Sequence, residues 1–141
     1  MDEELIFFLA GAIKIEGLLQ MKPGDKGVVI THPHPLYGGS MHNNVVESLV
    51  RVYQQAGYST LRFNFRGVGG SQGEYDNGQG EQEDVNAALH YLAEQGKNVV
   101  DLAGYSFGAW VNTLTRPSVN AVQRMIMVSP PVAFLDFGPP Q

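Results

Sequence analysis

The order of elements along this chain predicts an α/β fold, a mainly parallel sheet with helices on both faces. Two observations carry that expectation. Short runs rich in apolar and β-branched residues fall at 26–32, 58–65, 98–103 and 122–128, and the segments between the first three runs repeat their apolar positions every 3.6 residues. The chain has 141 residues, 43% of them apolar and 16% charged, which is enough to bury one core, so residues 1–141 read as a single domain.

Leu5 to Met21 mixes apolar and polar residues broken by Gly11 and Gly17, as two short antiparallel strands at a sheet edge would. After the turn at Pro23-Gly24-Asp25, KGVVITH (26–32) is a strand covered on both faces. The following Pro33-His34-Pro35-Leu36-Tyr37-Gly38-Gly39 cannot be helical. Asn43 or Asn44 then caps a helix with Val46, Leu49, Val50 and Tyr53 on its buried face, ending at Gly57. YSTLRFNF (58–65) returns to strand, and RGVGGSQGEYDNGQG (66–80) is a long glycine-rich loop over the sheet edge. It is no dinucleotide fingerprint, because Gln72 stands where the third glycine would be. Glu81, Glu83 and Asp84 crowd the start of a helix over 81–95 that carries Val85, Ala88, Leu89 and Leu92, where acids suit the helix dipole. After a last helix ending by Arg116-Pro117, VQRMIMV (122–128) predicts another buried strand.

Charge and composition narrow the partners. A net charge of -5 without a basic stripe argues against nucleic acid and anionic membrane. The acidic start Met1-Asp2-Glu3-Glu4 and the short apolar run Leu5 to Ala10 read as neither signal peptide nor span, so a cytoplasmic location is the default expectation. The absence of cysteine removes disulfides, thiolate metal sites and a cysteine nucleophile. No cofactor motif is expected.

Chemistry concentrates at NVVDLAGYSFGAW (98–110), a buried strand running through Gly104-Tyr105-Ser106-Phe107-Gly108 into a helix. A serine on so sharp a turn needs flanking residues with almost no side chain, and Gly104 and Gly108 supply them. The turn lifts the Ser106 oxygen above the carboxyl edge of the sheet. The Phe107 backbone N–H, at the helix start, faces the place where a carbonyl oxygen would gain charge.

Together, THPHPLYGGSMHNNVV, LRFNFRGVGGSQGEYDNGQGEQEDVNAAL and LAGYSFGAW resemble the α/β-hydrolase superfamily, specifically small bacterial serine hydrolases of the dienelactone-hydrolase-like kind. The resemblance covers nearly the whole chain. It implies strand order 1-2-4-3-5-6, a site at the carboxyl ends of the central strands, and hydrolysis of a small-molecule ester or similar acyl bond. Residue by residue, Ser106 matches the nucleophile and the Phe107 N–H the first oxyanion donor. The second donor comes from the loop after the third strand, where Pro33 and Pro35 have no N–H, which leaves His34, Leu36 or Tyr37, with His34 preferred.

The superfamily order is serine, then acid, then histidine, whereas His32, His34, His42 and His90 all precede Ser106. The resemblance therefore implies a partial fold without the later strands that carry acid and histidine, weakly active or inactive as given, with a free sixth-strand edge open to self-association. Asp136 lies where some members place their acid, but it has no histidine to orient and reads as a surface residue. His90 reads as a surface or boundary residue, His42 as the start of a helix, and His32 and His34 as shapers of the oxyanion loop. Two alternatives stand beside this reading. One is a non-catalytic, hydrolase-like binding or interaction domain. The other is a metal-dependent hydrolase using His32 and His34, since residues i and i+2 on a strand share a face.

Overall fold

A computed structural model describes residues 2–117 and 122–130. The strands are β1 (Glu4–Ala10), β2 (Ile13–Gln20), β3 (Lys26–Thr31), β4 (Ser59–Phe63), β5 (Val99–Tyr105) and β6 (Val122–Val128). They form one six-stranded sheet in the order β1-β2-β4-β3-β5-β6. β1 pairs antiparallel with β2 and β2 antiparallel with β4, while β4, β3, β5 and β6 run parallel. This is the order that the resemblance implies.

The helices are α1 (Asn44–Gln55), α2 (Gln79–Glu94) and α3 (Phe107–Leu114). Their apolar stripes decide which face of the sheet each covers. Val46, Val50 and Tyr53 of α1 pack on Val28, Ile30 and Ala103. Val85, Leu89 and Leu92 of α2, with Phe107 and Val111 of α3, cover Val29, Leu61, Phe63 and Leu102 on the other side. β3 and β5 are thus buried on both faces, which is why their sequences are mostly apolar rather than alternating, Asp101 of β5 being held by Tyr53 and Arg124. Asn43 caps α1 by accepting the Val45 and Val46 N–H groups at 2.8 and 3.3 Å.

The parallel register sets the site. Thr31 lies opposite Gly104 and Ile30 opposite Arg62, so the loops after β3, β4 and β5 leave the sheet at one edge.

One strand departs from expectation. β6 has the predicted bounds but is not buried: most of its residues are exposed, Met125 and Met127 among them. Its apolar composition matches a strand covered on both faces, yet among the described residues no strand pairs with its outer edge. The 134–141 tail and Asp136 lie outside the described residues.

Candidate active site

Ser106 joins β5 directly to α3. Its backbone lies at φ 57°, ψ −117°, a conformation that L-residues adopt only when their surroundings hold them there. Those surroundings are two close approaches. A Cβ on Gly104 would come within 2.5 Å of Thr31 Oγ1 and 2.7 Å of the Ala109 nitrogen; one on Gly108 would come within 2.5 Å of Thr31 Oγ1 and 2.7 Å of the His32 carbonyl oxygen. Both glycines are needed because β3, β5 and α3 touch through their backbones. Ser106 donates its own N–H to the Val128 carbonyl at 2.9 Å, tying the turn to β6. Its half-buried hydroxyl makes no recorded hydrogen bond among the described residues.

The loop after β3 closes on itself beside this turn. Pro35–Tyr37 form one 3-10 turn, with the Tyr37 and Gly39 N–H groups donating to the His34 carbonyl at 3.1 and 3.0 Å. The Leu36 N–H donates to His34 Nδ1 at 3.2 Å. Of the three candidate second donors, Leu36 and Tyr37 therefore spend their N–H groups inside the loop. Neither the His34 N–H nor the Phe107 N–H has a recorded acceptor among the described residues.

The His34 ring is half-buried and stands 4.7 Å from the Phe107 ring, 4.7 Å from Tyr37 and 5.0 Å from Tyr75, centroid to centroid. Because Nδ1 accepts from Leu36, the proton sits on Nε2, which pairs with the Tyr75 hydroxyl at 3.1 Å. Burial lowers the basicity of this imidazole. His32 is fully buried. Burial pushes it down to about 4, and both its nitrogens are engaged, Nδ1 with the Pro33 carbonyl at 2.7 Å and Nε2 with the Phe65 N–H at 3.0 Å. The H-x-H spacing therefore does not make a pair of free ligands. No group of three or more His, Asp or Glu residues able to hold a metal occurs among the described residues. His42 and His90 are exposed.

The glycine-rich loop borders the same edge, since Tyr75 touches His34 and its ring lies 5.9 Å from that of Phe107. At the start of α2, Glu81 stands in the first turn and closes on the helix N-terminus, as the dipole reading expects, and both it and Asp84 are fully buried. Glu81 accepts the Asp76 and Gly78 N–H groups, each at 2.9 Å. Asp84 accepts the Arg66 N–H at 2.9 Å and forks with its guanidinium, Nη2 to Oδ1 at 2.8 Å. Burial pushes the Asp84 carboxyl up to about 6 against the pull of Arg66. The Glu81 ties are local, whereas the sequence carries no local sign of the Asp84 pair, because Arg66 lies across the loop. Tyr75 was likewise missed, although a lone aromatic in a glycine-rich loop at a sheet's carboxyl edge was a usable signal.

A mainly parallel sheet in this order, with a strained serine between flanking glycines where β5 meets α3, defines the class of α/β serine hydrolases. The chain belongs to the family described as X-Pro dipeptidyl-peptidase (S15 family), whose model matches residues 19–137. It is similar to an uncharacterised protein of Rickettsia prowazekii, 41% identical over 134 residues, which cover 90% of this chain and 55% of that protein. Among solved structures it is similar to an alpha-beta serine hydrolase homologue from Coxiella burnetii, at 38% identity and a TM-score of 0.86, covering 97% of this chain and 69% of that one. It is also similar to an a/b serine hydrolase without lid from Xanthomonas campestris, at 31% identity and a TM-score of 0.88, covering 100% of this chain and 67% of that one. The chain thus spans about half the length of the curated relative and about two thirds of these two structures.

Proposed function

We propose that Ser106 is the nucleophile of a serine hydrolase acting on an ester or similar acyl bond, with the Phe107 and His34 backbone N–H groups as its oxyanion donors. The observation that carries this reading is the Ser106 backbone at φ 57°, ψ −117°, held by two glycines that allow no side chain. Ser106 Oγ adds to the carbonyl carbon, and its proton passes to a base. The carbonyl oxygen takes up charge against the two N–H groups, and collapse expels the alcohol with a proton. Water then cleaves the acyl-serine and returns the hydroxyl.

Base and nucleophile act as a unit in such enzymes. Removing the histidine alone costs about 10⁶ in turnover, while oxyanion donors and binding still give on the order of 10³ to 10⁴ over water. None of the four histidines hydrogen-bonds Ser106, so these 141 residues are expected to act like that remnant. They should hydrolyse p-nitrophenyl acetate feebly and react slowly with a fluorophosphonate at Ser106, both lost in Ser106→Ala. Turnover at ordinary esterase rates, lost in the same variant, would overturn the expectation of feebleness and point to His34 as base. The rival reading is a non-catalytic binding or interaction domain; no labelling at Ser106 over long incubation would support it.

A further inference from the structure

The most buried histidine of the chain has no part in the chemistry above. His32 stands one residue past β3 with no exposed surface. A neutral imidazole has one donor and one acceptor, and its partners decide which nitrogen holds the proton. The Phe65 N–H can only donate, so Nε2 accepts, which puts the proton on Nδ1 and makes it the donor to the Pro33 carbonyl. That carbonyl belongs to the peptide unit whose N–H is His34's own. The unit is planar and trans, so its oxygen and its N–H point in opposite directions. Fixing the oxygen against the buried imidazole turns the His34 N–H the other way. Gly39 confines the same unit further, since a Cβ there would collide with the Pro33 and His34 carbonyl oxygens. The end of β3 is packed on α3 as well, at the Gly108 contact with the His32 carbonyl.

We propose that His32 is a positioning residue: its Nδ1–H···O=C bond holds the Pro33–His34 peptide so that the His34 N–H faces the acyl oxygen, and the oxyanion hole is formed before substrate arrives. The inference rests on the reading of Ser106 as nucleophile. A preformed donor costs no reorganisation during reaction, which is where such donors gain their effect. Burial keeps the ring neutral down to about pH 4, so one tautomer persists across the working range.

Two substitutions separate this role from simple support of the fold. Asparagine can place an amide N–H where Nδ1 stood, keeping the bond to Pro33, whereas glutamine can place an amide oxygen where Nε2 stood, keeping the bond to Phe65. Both leave a similar gap, so H32N and H32Q should melt at similar temperatures. Acylation of Ser106 by a p-nitrophenyl ester or a fluorophosphonate should fall only several-fold in H32N and by on the order of 10² in H32Q, in the rate constant rather than in KM. NMR should show the Nδ1–H tautomer of His32 in the unsubstituted chain, and a His34 amide resonance that moves in H32Q more than in H32N. Equal acylation losses in the two variants, losses that track melting temperature, or an Nε2–H tautomer would overturn the proposal. If the unsubstituted chain shows no acylation that depends on Ser106, the reading of Ser106 fails, and the tautomer and amide shifts still decide the positioning by themselves.

Discussion

Two glycine-rich segments meet at the carboxyl edge of the sheet, and they use glycine differently. At Gly104 and Gly108 the residue is small because strand and helix leave no room for a Cβ. In the loop after β4, Gly67, Gly69, Gly73 and Gly78 all have positive φ, between 53° and 86°; at Gly67 and Gly73, where a Cβ would come no nearer than 3.1 Å to any neighbour, the requirement is mainly conformational, while at Gly69 and Gly78 a close side chain, Asn64 and Trp110, adds to it. Polar bookkeeping differs too. The loop is stitched down: Arg66 by Asp84, the Asp76 and Gly78 amides by Glu81, the Gly70 N–H by Glu16 at 2.8 Å. The serine turn leaves a hydroxyl and two nearby N–H groups without recorded partners among the described residues. Buried polar groups are satisfied where a protein only needs a shape; groups left open at a strained turn are available to a ligand.

The largest expected effect lies in the loop. Asp84→Ala leaves the Arg66 guanidinium buried without its forked partner and strips the Arg66 N–H of its acceptor, a loss of about 3 to 5 kcal/mol by chemical denaturation. A loss under about 1 kcal/mol would mean that the loop is not held through this pair.

Next comes pH, acting at the base of the oxyanion loop. In the unfolded chain His32 takes up a proton near pH 6.5, but folded it resists until about pH 4. The unfolded state binds the extra proton between those values, so this contribution is fully present above pH 6.5 and is lost as pH falls to 4, amounting to about 3 kcal/mol. Denaturation midpoints of the unsubstituted chain and of H32Q should converge over that window. Parallel curves would show that His32 is not held neutral by burial.

The contrast between the glycines can be broken directly. Gly108→Ala pushes a methyl group against the His32 carbonyl and should cost about 2 kcal/mol, together with at least tenfold in Ser106 acylation. Gly73→Ala, at φ 83° and with only Ile13 and Arg66 side chains near its Cβ, should cost about 1 kcal/mol and leave acylation alone. Equal losses of acylation in both would erase the distinction between a turn shaped for chemistry and a loop shaped for cover.

What could be read from the sequence follows the same division. The serine turn was legible because its glycines, its strand and its helix are contiguous in sequence. The bounds of β6 and the Asn43 cap were legible for the same reason. The buried role of Asp84 was not, because an acid near a helix start reads as a dipole partner unless the cation it meets is known, and Arg66 lies 18 residues before Asp84. Nor was the exposure of β6, since apolar composition reports what a strand is suited to meet and not what lies beside it. His32 fell between the two: its place at the strand mouth was legible, while the Phe65 N–H that sets its tautomer comes from another strand's end.

The smallest expected effect isolates what burial adds to charge. Arg66 pairs with two acids of the same helix, Asp84 at 2.8 Å and Glu83 at 3.5 Å. Counted as ion pairs they look alike, yet the Asp84 side chain has 0% exposure and that of Glu83 68%. Water screens the outer pair and competes for both its charges, and holding a long glutamate in one rotamer costs entropy, so such pairs contribute between about zero and 1 kcal/mol. Glu83→Gln should therefore shift stability by no more than about 0.5 kcal/mol, and raising salt from low to physiological strength should remove even that difference. A loss approaching that of Asp84→Ala would mean that Glu83 closes over Arg66 in solution and that both acids, not Asp84 alone, hold the loop against the serine turn.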